Sequence, residues 1–176
     1  MQQAHIMVDL ETAGTSNNAP IMSIGAVAFS VHKEIDHIYR PVDLCSSAQY
    51  QDPIDANTVL WWLGQSEDAR RDLLRGAAIG NPLPHALQNL SDFIGKFDVQ
   101  GVWGNGATFD NVILRNAYES VGQECPWSFR EDRCFRTMKG LDLVPQPERE
   151  GTHHNALDDA IYQAQWLQQI MRVLQP

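Results

Sequence analysis

Two acidic residues separated by a single leucine interrupt an apolar run near the start of the chain. Residues 7–15 read M-V-D-L-E-T-A-G-T, which places Asp9 and Glu11 two positions apart. The apolar residues that alternate with them predict a β-strand, so the two carboxylates project from one face. Carboxylates held that close raise each other's pKa or share a cation. The alternative is an edge strand with a solvated acidic face, which this stretch alone favours.

A third acidic residue follows a strand and a small-residue loop. The segment 103–114 reads W-G-N-G-A-T-F-D-N-V-I-L, with Asp110 in the first turn of a predicted helix. Acidic side chains are stabilised at helix N-termini, so Asp110 also has a purely structural explanation. Phe109 either lines the same cleft as Asp110 or packs in the core, and core packing is favoured.

A histidine and two further acids begin the last helix. The segment 154–160 reads H-N-A-L-D-D-A, in which Asn155 can cap the helix and Asp158 can complete a box-like arrangement three residues later. This assignment leaves Asp159 without a structural role and places His154 in the loop before the helix. Asp159 and His154 are therefore candidates for chemistry.

These residue types suit the hydrolysis of a phosphodiester bond by water. Two hard cations about 3.5–4 Å apart can generate the nucleophile, stabilise charge on the phosphoryl oxygens and assist the leaving oxygen. Mg²⁺ and Mn²⁺ prefer carboxylate oxygens, in keeping with a set of acids that contains no cysteine. Histidine titrates near neutral pH, so His154 can take a proton from water.

In its order of motifs, D-x-E, F-D and H-x4-D, the chain resembles the DEDDh 3′–5′ exonucleases, which have an RNase H-like fold. The resemblance covers nearly the whole chain, and W-W-L-G-Q-S at 61–66 is similar to the branch of phage DexA-type exonucleases and ribonuclease AS. It implies two bound cations, Mg²⁺ or Mn²⁺, and a histidine general base. The metal ligands would be Asp9, Glu11, Asp110 and Asp159, and the base would be His154.

One position departs from the common motif of that superfamily. The usual H-N-A-x-F-D is replaced here by N-G-A-T-F-D, so Gly106 stands where an asparagine is usual and the role of Asn105 stays open. The resemblance implies that Thr12 contacts the 3′-terminal nucleotide. Trp61 and Trp62 are adjacent and cannot share one helix face. One of them is expected in the core and the other to stack on a base. Trp61 is taken as the stacking residue, although core packing is favoured for each tryptophan considered singly.

Other charged residues near these motifs allow two explanations. Arg130, Arg133, Arg136 and Lys139 recur every third residue and form either a phosphate-binding patch or a solvated helix. His153 beside His154 suggests zinc, but no second ligand pair at zinc spacing follows, so zinc is discounted.

Composition predicts one soluble domain over residues 1–176. Hydrophobic residues make up 43% of the chain and charged residues 20%, and no stretch approaches the roughly 20 apolar residues of a membrane span. The net charge of −9 argues against nucleic-acid binding, unless many of the acids are gathered at a cation site. Net charge alone therefore does not distinguish a nucleic-acid binding protein from other classes. Three unpaired cysteines and the lack of a signal peptide predict a cytoplasmic protein without a membrane partner.

The pattern of elements predicts an α/β fold. Strands at 5–11, 21–31 and 35–42 form an antiparallel meander. Helices begin after Asp55 and Ser66, span 84–97, begin near Phe109, span 129–141 and follow Asn155, with a strand at 99–103 and a proline-rich loop at 143–151. The fold expected from the resemblance is a mixed, RNase H-like β-sheet with helices on its faces.

The function expected is a metal-dependent 3′–5′ exonuclease acting on single-stranded nucleic acid with a free 3′ end. DNA and RNA are both open, and a homodimer is common among relatives of this size. Two alternatives are a phosphatase of the haloacid-dehalogenase type, whose D-x-D-x-T motif D-L-E-T partly resembles, and an inactive nucleic-acid binding module. The glutamate of D-L-E-T opposes the first, and the complete set of acids opposes the second.

Overall fold

A five-stranded mixed sheet organises the protein. The structure is a computed structural model that describes residues 1–175. Strands β1 (Gln2–Thr12), β2 (Ile21–Phe29) and β3 (Glu34–Pro41) form the antiparallel meander, and β4 (Phe97–Gly104) and β5 (Asp132–Cys134) continue the sheet in parallel with β1. The strand order is β3-β2-β1-β4-β5, which confirms the predicted mixed α/β fold.

Seven α-helices and one 3₁₀ turn, Phe129–Glu131, complete the described chain. The helices are α1 (Leu44–Tyr50), α2 (Ala56–Leu63), α3 (Glu67–Ile79), α4 (Leu83–Ile94), α5 (Asp110–Ser120), α6 (Phe135–Lys139) and α7 (Ala156–Leu174). Asp55, Ser66 and Asn155 accept backbone hydrogen bonds as the predicted N-caps of α2, α3 and α7. None of the described helices combines the length and the hydropathy needed to cross a bilayer.

The alternation of β1 separates two apolar cores. Ile6, Val8 and Leu10 face the larger core, which α4 and α5 cover, whereas Met7 faces a smaller core under α7. Asp9 and Glu11 follow Met7 on the α7 side because alternate strand residues share a face. The helix lies very close to the sheet there, since a Cβ on Gly25 of β2 would fall 2.1 Å from the carbonyl oxygen of Ala156.

The predicted helix at 129–141 is wrong. Asp132 accepts hydrogen bonds from the side chains of Arg115, Trp127 and Asn111, and residues 132–134 extend along β4 as the edge strand. These tertiary contacts override the local helical pattern, and only the 3₁₀ turn at Phe129–Glu131 and α6 are helical. The helix predicted at 84–97 extends too far towards the C-terminus. In the structure α4 ends at Ile94, and Phe97 is the first residue of β4.

Candidate active site

The four predicted acidic ligands converge on one cleft. Asp9 and Glu11 reach it from β1, Asp110 from the first turn of α5, and Asp159 from the first turn of α7. Ligand oxygens of Asp9, Glu11 and Asp159 lie within 4.8 Å of one another. Asp110 is held beside them because its Oδ1 accepts a hydrogen bond from the backbone N–H of Leu10 at 3.3 Å.

The acids of β1 and α5 stay protonated at unusually high pH. Burial raises the pKa of Asp9 well above its ordinary value, and the charges of Asp110, Glu11 and Asp159 add to that effect. Burial, with the charges of Asp159 and Asp110, raises the pKa of Glu11 to about 8. Burial also raises the pKa of Asp110 to about 7, against the lowering effect of backbone N–H groups and Arg136. A cation bound among these acids would favour their ionised forms.

Gln163 holds Asp9 from the opposite side of the cleft. Its Nε2 donates to Asp9 Oδ1 at 2.7 Å, which ties α7 to β1 across the site. Sequence reasoning missed this residue, although Gln163 follows Asp159 by four positions and so lies on the same helix face. The four-residue spacing could have indicated that Gln163 faces the same cleft as Asp159.

Asp159 is shared between the cleft and the loop before α7. Arg149 pairs with Asp159 Oδ1, and the backbone N–H of His154 donates to Oδ2 at 3.3 Å. The Arg149 guanidinium also lies over the ring of Tyr162, 4.1 Å from its centroid. Sequence reasoning missed Arg149, because the proline-rich loop that carries it has no periodicity to indicate which side chain turns inward.

His154 lies at the mouth of the cleft in an unusual backbone conformation. Its φ of 65° is rare for a residue with a side chain. Its ring stacks on that of His153 at a centroid distance of 3.9 Å and meets the edge of Trp61 at 4.8 Å. Burial and the neighbouring His153 lower the pKa of His154 below its ordinary value, which favours the neutral imidazole at pH 7.

The cap of α7 differs from the predicted box. Asn155 Oδ1 accepts from the backbone N–H groups of Leu157 and Asp158 as expected. Asp158 does not close the box, because its Oδ2 instead accepts from the N–H of Thr152 at 2.7 Å. The turn at Gly151, with φ of 80°, brings Thr152 over Asp158 and leaves no room for a Cβ. Asp158 therefore stabilises the loop that carries His154.

An apolar groove adjoins the carboxylates. It is lined by Thr12, Trp61, Trp62 and Phe109 together with Leu10 and Gly14. Trp62 is buried and its Nε1 donates to the carbonyl oxygen of Thr12 at 3.1 Å, whereas 47% of Trp61 is exposed. Phe109 lies between the groove and the cleft, and the Thr12 hydroxyl donates to the carbonyl oxygen of Gly14. The structure thus places all three predicted substrate-binding residues together.

The departure at Gly106 has a backbone explanation. Its φ of 125° lies in the region that favours glycine, and the adjacent Asn105 accepts at its carbonyl oxygen from Arg136. Asn105 Oδ1 is buried with no hydrogen-bond partner among the described residues.

Of the four basic residues at 130–139, Arg136 and Lys139 line the cleft, while the other two contact neighbours in their own segment.

Several solved exonuclease structures share this fold at low sequence identity. The nuclease domain of 3′hExo, a DEDDh family member bound to rAMP, matches with a TM-score of 0.65 and 13% identity over 97% of this chain and 92% of its own. E. coli exonuclease I, in a zinc-bound complex with single-stranded DNA, matches with a TM-score of 0.72 and 14% identity over 100% of this chain. This chain spans 42% of that exonuclease I. At such identity the likeness establishes the RNase H-like fold.

Sequence comparison identifies the family. No curated protein sequence matches the chain. The sequence model of the 3′–5′ exoribonuclease Rv2179c-like domain does match, over residues 4–171, a range that includes every acid of the cleft and His154. With the fold and the site agreeing, the chain belongs to the Rv2179c-like family of 3′–5′ exonucleases.

Proposed function

We propose that the chain removes nucleotides one at a time from the free 3′ end of single-stranded RNA. The observation that carries the proposal is the convergence of Asp9, Glu11, Asp110, Asp159 and His154 in one cleft. The family description, an exoribonuclease, supports RNA as the substrate. The single-stranded DNA bound by E. coli exonuclease I supports a single strand.

The carboxylates fit two divalent cations as ligands. Oxygens of Asp9, Glu11 and Asp159 lie within 4.8 Å of one another, and the raised pKa values of Asp9, Glu11 and Asp110 indicate a cluster that cations would stabilise. An all-oxygen donor set selects Mg²⁺ or Mn²⁺. When bound, two such ions stabilise the charge that develops on the phosphoryl oxygens.

His154 is positioned to act as the general base. A water oxygen attacks phosphorus, and the bond from phosphorus to the 3′ oxygen of the preceding nucleotide breaks. That 3′ oxygen takes a proton from solvent and becomes the new terminal hydroxyl, and a nucleoside 5′-monophosphate is released. An imidazole nitrogen of His154 takes the proton of the water, for which the neutral ring favoured by its lowered pKa is required. The hydrogen bond from His154 N–H to Asp159 keeps the histidine next to the carboxylates.

The apolar groove fits the terminal nucleotide. Trp61 offers an exposed aromatic face, and Phe109 lies where the groove meets the carboxylates. Stacking on such rings stabilises a base without reading its sequence. Thr12 lies at the same point, next to Glu11 in the groove, where a terminal ribose would meet the metal ligands. Arg136 and Lys139 supply positive charge for the phosphates on the other side of the cleft.

The test compares RNA and DNA of one sequence in three forms: 5′-labelled linear strands with a 3′-hydroxyl, 5′-labelled linear strands with a 3′-phosphate, and internally labelled circles. In Mg²⁺ or Mn²⁺ we expect stepwise shortening of the RNA with a 3′-hydroxyl, resistance of the 3′-phosphate form, and no reaction in EDTA. Rapid cutting of circles would show an endonuclease, and faster digestion of DNA would overturn the preference for RNA.

We further propose that residues 1–176 act as a single exonuclease domain, supported by the one continuous sheet and by the four acids that β1, α5 and α7 bring to one cleft. The homodimer implied by the resemblance stays a prediction. Light scattering on the eluting protein tests it, with a mass of about twice 19.8 kDa expected for a dimer.

A further inference from the structure

A second potential metal site overlaps the first at Asp159. We propose that His153, His154 and Asp159 form a Zn²⁺ site that shares Asp159 with the catalytic carboxylates, so that Zn²⁺ bound there inhibits the enzyme. The inhibition rests on the proposed function, whereas the metal site stands on its own geometry.

The three side chains lie close enough together to converge on one metal ion after small rotations. One ligand atom from each of His153, His154 and Asp159 lies within 4.8 Å of the others. The two imidazole rings are stacked, with centroids 3.9 Å apart and planes at 23°. His153 is exposed and His154 is half-buried, so an ion reaches the site from solvent.

The backbone explains why two adjacent histidines face the same way. In an extended chain, successive side chains point to opposite sides. The left-handed conformation of His154, with φ of 65°, breaks that alternation and brings both rings over the N-terminus of α7. The hydrogen bond from His154 N–H to Asp159 Oδ2 then holds the carboxylate beside the rings. A strained conformation of this kind often marks a functional site.

The two ligand sets that share Asp159 favour different metal ions. One set contains His153 and His154, and the other contains Asp9 and Glu11. Two imidazole nitrogens and one carboxylate oxygen suit tetrahedral Zn²⁺, with the fourth position left to water. Mg²⁺ prefers six oxygens in octahedral geometry and so favours the set that includes Asp9 and Glu11. Each oxygen of Asp159 has two acceptor positions, so its contacts with Arg149 and His154 leave room for a metal bond.

Zinc at this site would prevent two residues, His154 and Asp159, from acting in the proposed hydrolysis. The imidazole nitrogen of His154 that accepts the proton from water would be committed to the ion. Asp159 would be drawn from the catalytic carboxylates towards the histidines. His153 is the one member of the set with no part in the proposed hydrolysis, so its substitution separates the two sites.

The first experiment measures metal binding without substrate. Untagged protein is stripped with EDTA and titrated with Zn²⁺ by calorimetry and with Co²⁺ as an absorbing probe of four-coordinate geometry. Wild type should bind with the visible spectrum of tetrahedral cobalt. His153→Gln should weaken binding by at least about 10-fold, since even outer-sphere partners cost 10–100-fold. The control His85→Gln, which changes an exposed histidine of α4, should bind like wild type.

The second experiment measures Zn²⁺ inhibition of the Mg²⁺-activated enzyme, each variant relative to its own rate without Zn²⁺. His153→Gln should need at least about 10-fold more Zn²⁺ than wild type or His85→Gln. Equal inhibition of all three proteins, or Co²⁺ binding that is unchanged in His153→Gln, would overturn the proposal. Binding that depends on His153 in a protein with no nuclease activity would support the metal site and refute the proposed function instead.

Discussion

The two walls of the cleft are built in different ways. Asp9, Glu11 and Asp110, here called the carboxylate wall, lie on a central strand and a helix start, where burial raises their pKa. Arg149, His153 and His154, here called the loop wall, lie on the segment between α6 and α7. The carboxylate wall offers only oxygen ligands, held by regular secondary structure, whereas the loop wall offers nitrogen groups on an irregular segment.

Asp159 lies where the two walls meet and contacts both. It shares cation-binding range with Asp9 and Glu11, and it pairs with Arg149 and accepts from His154 N–H. The regular elements therefore supply the carboxylates of the proposed cation site, whereas the loop determines which positive or basic group reaches the shared carboxylate. The predictions below separate these two contributions.

The largest effect should come from the shared carboxylate. Asp159→Asn should lower kcat at least about 10³-fold, because the variant loses a carboxylate ligand of the proposed cations. That factor corresponds to about 4 kcal/mol of lost transition-state stabilisation. Its Tm should stay near the wild-type value. The adjacent Asp158→Asn should keep most activity and lose about 1 kcal/mol of stability or less, about 2–4 °C in Tm, because Asp158 only accepts from Thr152 N–H. The opposite pattern in rate and melting measurements would show that the pair is misassigned.

Within the loop wall, the two histidines should differ sharply. His154→Ala should lower kcat by about 10²–10⁴-fold, the range for losing a general base, with Mg²⁺ affinity little changed. His153→Ala should lower it far less, since the exposed ring of His153 takes no part in the proton transfer. Steady-state rates for both variants decide this, and a dead His153→Ala enzyme would move the base to that residue.

Trp61 contacts the loop wall and also lines the groove, so its variant tests which contact matters. Trp61→Ala should raise KM by about 5- to 150-fold, the equivalent of 1–3 kcal/mol of base stacking. Leu60→Ala, an exposed neighbour on α2 outside the groove, should behave like wild type. A fall in kcat without a change in KM would instead mean that Trp61 serves to position His154.

Arg149 should have the smallest effect, seen in metal binding rather than rate. Its guanidinium competes with a cation for Asp159, so Arg149→Gln should tighten Mn²⁺ binding about 2- to 5-fold, as expected for a partly exposed ion pair worth about 0.5–1 kcal/mol. Lys139→Gln removes the same charge from the same cleft without an ion pair to the acids. Equal affinities in the two variants, measured by calorimetry, would mean that only net charge matters.

Local patterns made much of this molecule predictable. The alternation around Asp9 and Glu11 and the caps at Asp55, Ser66 and Asn155 depend on a few neighbouring residues, and the structure has them as predicted. The family assignment confirms the 3′–5′ exonuclease and leaves the phosphatase alternative without support.

What sequence reasoning missed depends on distant partners. The strand at 132–134 forms because Asp132 is held by Arg115 and Trp127, contacts that no local period reports. Arg149 reaches Asp159 from an irregular loop. The sequence shows no second ligand pair at zinc spacing, and the approach of Asp159 to His153 and His154 depends on the left-handed turn at His154, which the sequence does not indicate.

The central claim, that the carboxylate wall is a cation site, is tested most directly by melting the protein across pH with and without metal. The folded protein binds protons on Glu11 up to a pKa of about 8, against an ordinary 4.5 in the unfolded chain. In EDTA, stability should therefore fall as the pH rises between these values. Each unit of net shift amounts to about 1.4 kcal/mol, or about 3–5 °C in Tm.

Mg²⁺ or Mn²⁺ should raise Tm more at pH 8 than at pH 6, because fewer protons compete with the ion for the carboxylates there, and should abolish the decline seen in EDTA. Asp9→Asn should weaken both the decline and the response to metal. A Tm that is flat with pH in EDTA and unmoved by either ion at pH 8 would contradict the account.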